Sequence, residues 1–181
     1  MSKKIVAFAG SNSSKSINKK LVRFVLEFFK DYEQSLLDLN DYETVLYSED
    51  REKNDGFPEK VYSFRKQFED ADIIICSLAE HNRSYSVAFK NIYDWSSRID
   101  PNVFLNKPMF LMSTSPGPKG GAAVMNTAIT YLPQGKANII ETFSLPSFNK
   151  NFDEEKGIID PELLKVLEDK INTFKKKIIN L

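Results

Sequence analysis

Five short apolar runs, each followed by a stretch whose apolar residues recur at helical spacing, constrain this 181-residue chain more than any other feature. Residues 4–9 (KIVAFA) are the kind of run that makes a strand buried on both faces. Residues 18–32 then carry Leu21, Val22, Val25, Leu26, Phe28 and Phe29 at helical spacing, with lysines between them. A second, shorter strand is expected at residues 35–39 (SLLDL), and the polar stretch from Asp41 to Gly56 reads as a long surface loop. Pro58 suits the first turn of a helix bearing Val61, Phe64 and Phe68. Residues 71–79 (ADIIICSLA) form the most strand-like run and should lie at the centre of a sheet. A helix over residues 85–99, a strand over 108–114, an alanine-rich helix over 122–132 and a strand over 137–143 follow. Asp160 as N-cap, Pro161, and the stripe Leu163, Leu167, Ile171, Phe174 and Ile178 mark the last helix.

Strands alternating with helices imply one parallel sheet with helices on both faces, and a chain of this length suits one domain spanning residues 1–181. Ligands of such folds sit beyond the carboxyl ends of the strands. Three loops fall at that edge: residues 10–16, 80–84 and 115–121.

Charge narrows the partners. Twenty-five basic and 25 acidic side chains cancel, so no net field draws nucleic acid or an anionic membrane surface. The first apolar run breaks at Gly10, too early for a secretory leader, and no later segment approaches a membrane span, so the expected address is the cytoplasm. One cysteine and one histidine leave no internal disulfide and no zinc-ligand spacing. Cys76, flanked by apolar residues, reads as inert core.

The first edge loop, in AGSNSSKSINKKLV, is rich in hydroxyls and amides. A helix beginning near Asn18 offers unpaired N–H groups and the positive end of its dipole, and Ser11, Ser13, Ser16, Asn12 and Asn18 can donate beside them. Such a cup suits a terminal phosphomonoester; the alternative is a loop that only caps its helix. Neither G-x-x-x-x-G-K-[ST] nor G-x-G-x-x-G occurs there. In the second loop (AEHNRSYS), His81 and Asn82 taken singly are turn residues, and SPGPKGG alone is a strand-to-helix turn.

Taken in order and spacing, the three loops resemble the NAD(P)H-dependent FMN reductase family of the flavodoxin-like fold. Gly10, Ser11, Ser16, Asn18 and Leu21 fall on that family's G-S-x-R-x-x-S-x-N-x-x-L. Glu80, Asn82 and Ser84 match P-E-Y-N-G-S, Lys90, Asn91, Asp94 and Trp95 match L-K-N-x-x-D-W, and Ser115, Gly117, Gly120 and Gly121 match its serine and glycine loop. The resemblance implies a flavodoxin-like three-layer sandwich with a five-stranded parallel sheet in the order 2-1-3-4-5. It implies FMN, its phosphate held by Ser11, Ser13, Ser16, Ile17 and Asn18. The ring would be lined by Glu80, His81, Asn82, Arg83 and Ser84, largely through backbone groups, with Ser115 and Gly117 at its other edge. NADPH or NADH would be the donor and a quinone, flavin or azo compound the small-molecule acceptor. A homodimer or homotetramer is implied, with Trp95 and its helix as the contact. A flavodoxin-type electron carrier is the competing reading, and the balanced charge weighs against it. Four positions depart from the pattern: Ser13 replaces the arginine, with Lys15 as a substitute charge, Ala79 replaces the proline, His81 replaces the tyrosine, and Arg83 stands where the family has glycine.

Overall fold

A computed structural model describes residues 3–179. Five parallel strands make the central sheet: β1 (Lys4–Gly10), β2 (Glu33–Leu37), β3 (Ile73–His81), β5 (Pro108–Thr114) and β6 (Asn138–Leu145), in the order β2-β1-β3-β5-β6. Val6 lies between Ser35 and Ile74, which fixes the register at the centre. The expected order holds, with one addition. The two-residue strand β4 (Ser84–Tyr85) folds back antiparallel on the end of β3, pairing Glu80 with Tyr85 and His81 with Ser84.

Strand alternation sorts the core into two layers. Ile5, Ala7, Ile73, Ile75, Phe110 and Met112 face α1 (Ile17–Leu26) and α7 (Pro161–Ile179), meeting Val22, Val25, Leu167, Ile171 and Phe174. Val6, Phe8, Ile74, Cys76, Met109 and Leu111 face the opposite way. They pack against α3 (Glu59–Glu69), α4 (Val87–Ile99) and α5 (Ala122–Tyr131) through Phe64, Phe68, Phe89, Trp95 and Met125. Asp160 starts α7 as expected, its Oδ1 accepting from the N–H groups of Glu162 and Leu163 at 3.0 Å.

Four expectations need correction. The stretch from Asp41 to Gly56 is not wholly loop, because it contains α2 (Glu49–Asp55). That helix buries no residue, so no apolar stripe announces it. Its start is set by Ser48, whose hydroxyl accepts from Arg51 N–H at 3.2 Å, and its end by Gly56 at φ 75°. The first helix ends at Leu26 and passes into a single 3-10 turn, Glu27–Phe29, before β2. The helix expected from Tyr85 begins at Val87, since Tyr85 belongs to β4 and Ser86 caps the helix, its hydroxyl accepting from Phe89 N–H at 3.1 Å. Trp95 is not a surface contact. It is fully buried within the chain, its indole N–H donating to Val45 O at 2.9 Å and its ring edge-on to Tyr47. A short annex of α6 (Phe148–Asn151), β7 (Phe152–Asp153) and β8 (Gly157–Ile158) precedes α7.

Candidate functional site

β1 ends at Gly10, beside Leu78 of β3, where a Cβ would come within 2.8 Å of Leu78 Cδ2 and force that side chain to shift. The turn that follows is knitted from its own hydroxyls. Ser11 Oγ accepts from Ser13 N–H at 3.2 Å, Ser13 Oγ from Lys15 N–H at 3.3 Å, and Ser16 Oγ from Lys19 N–H at 3.2 Å, capping α1. An oxygen that accepts a backbone N–H keeps its own proton to donate, so each of the three hydroxyls retains a donor. The helical ladder opens only with Lys20 N–H to Ser16 O at 3.2 Å, which leaves the N–H groups of Ile17 and Asn18 at the positive end of the helix dipole.

Asn18 departs from its expected role. Its side chain lies beneath the turn, accepting from Ser77 Oγ at 2.7 Å and Thr114 N–H at 3.1 Å and donating to Thr114 O at 3.3 Å. That amide ties α1 to β3 and β5, and leaves the Asn18 backbone N–H at the open end of the helix. Glu80 is committed in a similar way. Its carboxylate accepts from Ala123 N–H at 2.9 Å and Val124 N–H at 3.0 Å, capping α5, whose own N-cap, Gly121, has no side chain to do so. The charge of Glu80 is thereby spent on a helix terminus instead of opposing an anion nearby.

The hairpin between β3 and β4 turns on Asn82 at φ 50° and Arg83 at φ 66°. Two successive left-handed residues are what a tight two-residue hairpin demands, which is why glycine suits the second of them. The third loop is anchored from behind. Gly117 O accepts from Gly120 N–H at 3.2 Å and Ser147 N–H at 2.9 Å, while Gly120 sits at φ 57° where a Cβ would fall 2.8 Å from the Leu145 backbone.

One cavity of about 200 Å³ at this edge is lined by eight of the twelve residues expected from the sequence: Ser11, Ser13, Ser16, Ile17, Asn18, Glu80, His81 and Ser115. Lys15, Ala79, Thr114 and Pro116 complete its wall. Asn82, Arg83 and Ser84 are exposed on the hairpin outside that wall, and Gly117 is not part of it either. Thr114 and Pro116 were not singled out by sequence, although both flank the Ser115 loop that was. Two backbone N–H groups, three hydroxyls and one lysine around a single concavity fit the donor set that a phosphomonoester requires. Among the described residues no group of three or more His, Cys, Asp or Glu could hold a metal ion.

Fold and site define a flavodoxin-like α/β protein with a donor-lined cavity at the carboxyl edge of its sheet. The chain belongs to the NADPH-dependent FMN reductase family, whose profile matches residues 3–150, and is thereby an NAD(P)H-dependent oxidoreductase. It is 30% identical over 173 residues to the probable NADPH:quinone oxidoreductase 2 of Oryza sativa subsp. japonica, covering 92% of this chain and 84% of that protein. It is 31% identical over 163 residues to the NADPH:quinone oxidoreductase of Arabidopsis thaliana, covering 87% and 82%. Among solved structures, FerB, a flavoenzyme NAD(P)H:(acceptor) oxidoreductase from Paracoccus denitrificans, superposes with a TM-score of 0.75 at 24% identity, covering 98% of each chain, a likeness of fold.

Proposed function

We propose that the chain is a single flavodoxin-like domain that binds FMN at the carboxyl edge of its sheet, the phosphate end in the 200 Å³ cavity, takes electrons from NADPH or NADH and delivers them to a small organic acceptor, a quinone, flavin or azo compound. The observation that carries this reading is the convergence of the three edge loops on one cavity whose floor is the N-terminus of α1. Ser11, Ser13, Ser16 and the N–H groups of Ile17 and Asn18 would hold the phosphate, with Lys15 replacing the family's arginine as the neutralising charge. Glu80, His81 and Ser115 would border the ring. Bound there, FMN would supply the hydride chemistry, which accounts for a site without a nucleophile, triad or carboxylate pair. The protein's part is to orient and to shield: the Asn18 cross-tie and the Glu80 cap hold three loops in fixed relation. The names of the relatives support a quinone as acceptor. A homo-oligomer belongs to the same reading, supported by the exposed apolar side chains of Val45, Leu46 and Val87 beside the hairpin, and so does a cytoplasmic address, where NADPH is available.

A visible spectrum taken after loading with FMN and desalting, repeated anaerobically with NADPH and with NADH, tests this. A retained yellow chromophore that either nucleotide bleaches is the expected result and names the donor. Colour that neither bleaches would establish the electron carrier instead, and absence of colour would reduce the serine turn to a helix cap.

A further inference from the structure

A cavity of about 470 Å³ lies between the outward face of α1 and the hairpin of β7 and β8, and it shares no lining residue with the 200 Å³ cavity at the carboxyl edge. Its helix wall is Lys20, Arg23, Phe24 and Glu27, whose spacing puts all four on one face of α1 and the turn that continues it. Its other wall is Phe152, Glu154, Glu155, Lys156 and Gly157. The hairpin is built onto the helix. Gly157 lies so close to the Phe24 ring that a Cβ would fall 2.0 Å from Cε2, and its φ of 76° is one that glycine adopts freely. Phe152 meets Phe24 edge-on at 5.8 Å between ring centroids and stacks on Phe148 at 4.6 Å. The tip is fixed from within, Asp153 Oδ1 accepting from the N–H groups of Glu155 and Lys156, both at 2.9 Å. Lys20 pairs with Glu154, which joins helix to hairpin. The cavity is therefore preformed, with the half-buried rings of Phe24 and Phe152 in its lining.

Three cations and three carboxylates line it, and their pairing decides what it can bind. Lys20 is engaged by Glu154, and Glu27 by Lys30, which lies outside the lining, at 2.9 Å. Arg23 and Lys156, both exposed, make no side-chain hydrogen bond or ion pair among the described residues, and neither does Glu155. Two free cations against one free carboxylate favour an anion. A free guanidinium is a planar fork of donors that matches a carboxylate, and the rings beside it offer an apolar seat for a flat body. A volume of this size falls among those of small-ligand sites.

We propose that this groove is a second ligand site, for an aromatic carboxylate of one or two rings: Arg23 and Lys156 neutralise the carboxylate, and the ring lies against Phe24 and Phe152. Glu155 opposes further negative charge, so the groove prefers a monoanion to a dianion. The site is separate from the flavin reading and does not depend on it.

The test pairs 2-naphthoate with its neutral analogue 2-naphthalenemethanol, each dialysed to equilibrium against the protein after loading with FMN and desalting. Binding of 2-naphthoate by the parent is expected to saturate at one equivalent. Arg23→Gln is expected to weaken it about tenfold at low salt and Lys156→Gln about threefold, whereas Glu155→Gln should tighten it about threefold. All three should leave the neutral analogue within about twofold, and all three positions are exposed, so the fold is not at risk. Phe152→Leu, which removes a ring and keeps an apolar side chain, should weaken both probes alike, by about threefold. In isotopically labelled protein, saturation should move the amide signals of Arg23, Lys156 and Gly157 and leave those of Ser11 and Ser13 in place. No saturable binding by the parent, equal losses of both probes in Arg23→Gln, or shifts confined to Ser11 and its neighbours would overturn the proposal. Failure of the flavin reading is distinguishable: it would appear as no FMN retained, and the same dialysis would still read the groove.

Discussion

Asn18 accepts a 2.7 Å hydrogen bond from the hydroxyl of Ser77, so the first turn of α1 is fastened directly to the middle strand of the sheet. The same oxygen accepts from Thr114 N–H and the same amide donates to Thr114 O, all in a buried setting. A residue that sequence comparison places among phosphate ligands is, in its side chain, the pin beneath the cup. Asn18→Ala would strand a hydroxyl, an N–H and a carbonyl away from water, each costing about 1–3 kcal/mol if nothing replaces its partner. A loss of about 2–4 kcal/mol is expected after partial relaxation, read as a lower urea midpoint at unchanged m. Ser16→Ala removes only a helix cap and should cost about 1 kcal/mol.

Arg83 holds φ 66° at the second position of the hairpin turn, with its side chain exposed and outside the 200 Å³ cavity. Left-handed backbone costs an L-residue about 1–2 kcal/mol that glycine does not incur, while glycine loses more entropy on folding. The first effect is the larger here, so Arg83→Gly should stabilise the protein by about 0.5–1 kcal/mol in urea unfolding. FMN affinity, followed by quenching of flavin fluorescence, should stay within about twofold of the parent, since a surface charge outside the wall is screened. A large change in either direction would place the guanidinium in the site.

What the sequence made legible follows from where periodicity existed. The five strands and the stripes of α1, α3, α4 and α7 are written in apolar spacing, because each buries one face or both. α2 has no buried face, and its only signal was capping chemistry at Ser48 and Gly56. For the site, the strand and helix alternation located three loops, and the family resemblance named twelve residues in them, of which eight share a cavity. It could not reveal which atoms of those residues point outward. Glu80 and Asn18 both match family motifs, yet their side chains are used for capping and cross-tying, contacts made 43 and 96 residues away in the chain. Asn91 and Trp95, matched as part of a helix motif, hold a strap that sequence reading treated as plain loop.

Two ion pairs, Lys19–Asp38 and Arg98–Glu52, contribute to the acid limb of stability. Asp38 has its carboxyl held below the usual 3.8, first by the hydrogen bond from the Lys19 ammonium, with burial opposing and Asn40 assisting. Glu52 is held below 4.5 chiefly by the Arg98 guanidinium, which donates through Nε at 2.9 Å and a second nitrogen at 3.1 Å. A carboxylate whose folded pKa is depressed stabilises the fold fully above its unfolded value and loses that contribution as pH falls through the folded one. The parent should therefore lose a modest, solvent-screened contribution as pH drops below 4.5 and then 3.8. Asp38→Asn and Glu52→Gln should each be less stable at neutral pH, and the gap to the parent should close by about pH 2, in urea titrations at fixed pH values.

Lys15 supplies the test of the cup itself. It is the one lysine in the wall of the 200 Å³ cavity and stands two residues after Ser13, which occupies the family's arginine position. If phosphate is what the turn recognises, the protein must prefer FMN over riboflavin, and that preference must depend on charge at Lys15 and on salt. Lys15→Gln should weaken FMN about fivefold to tenfold at low ionic strength, the effect of one partly screened charge near a dianion, and the difference should shrink as salt is raised. Riboflavin, which lacks the phosphate, should bind parent and variant alike. Isothermal titration of both ligands against both proteins reads this directly. Equal losses for FMN and riboflavin would show that Lys15 acts on the shape of the turn and not on the phosphate.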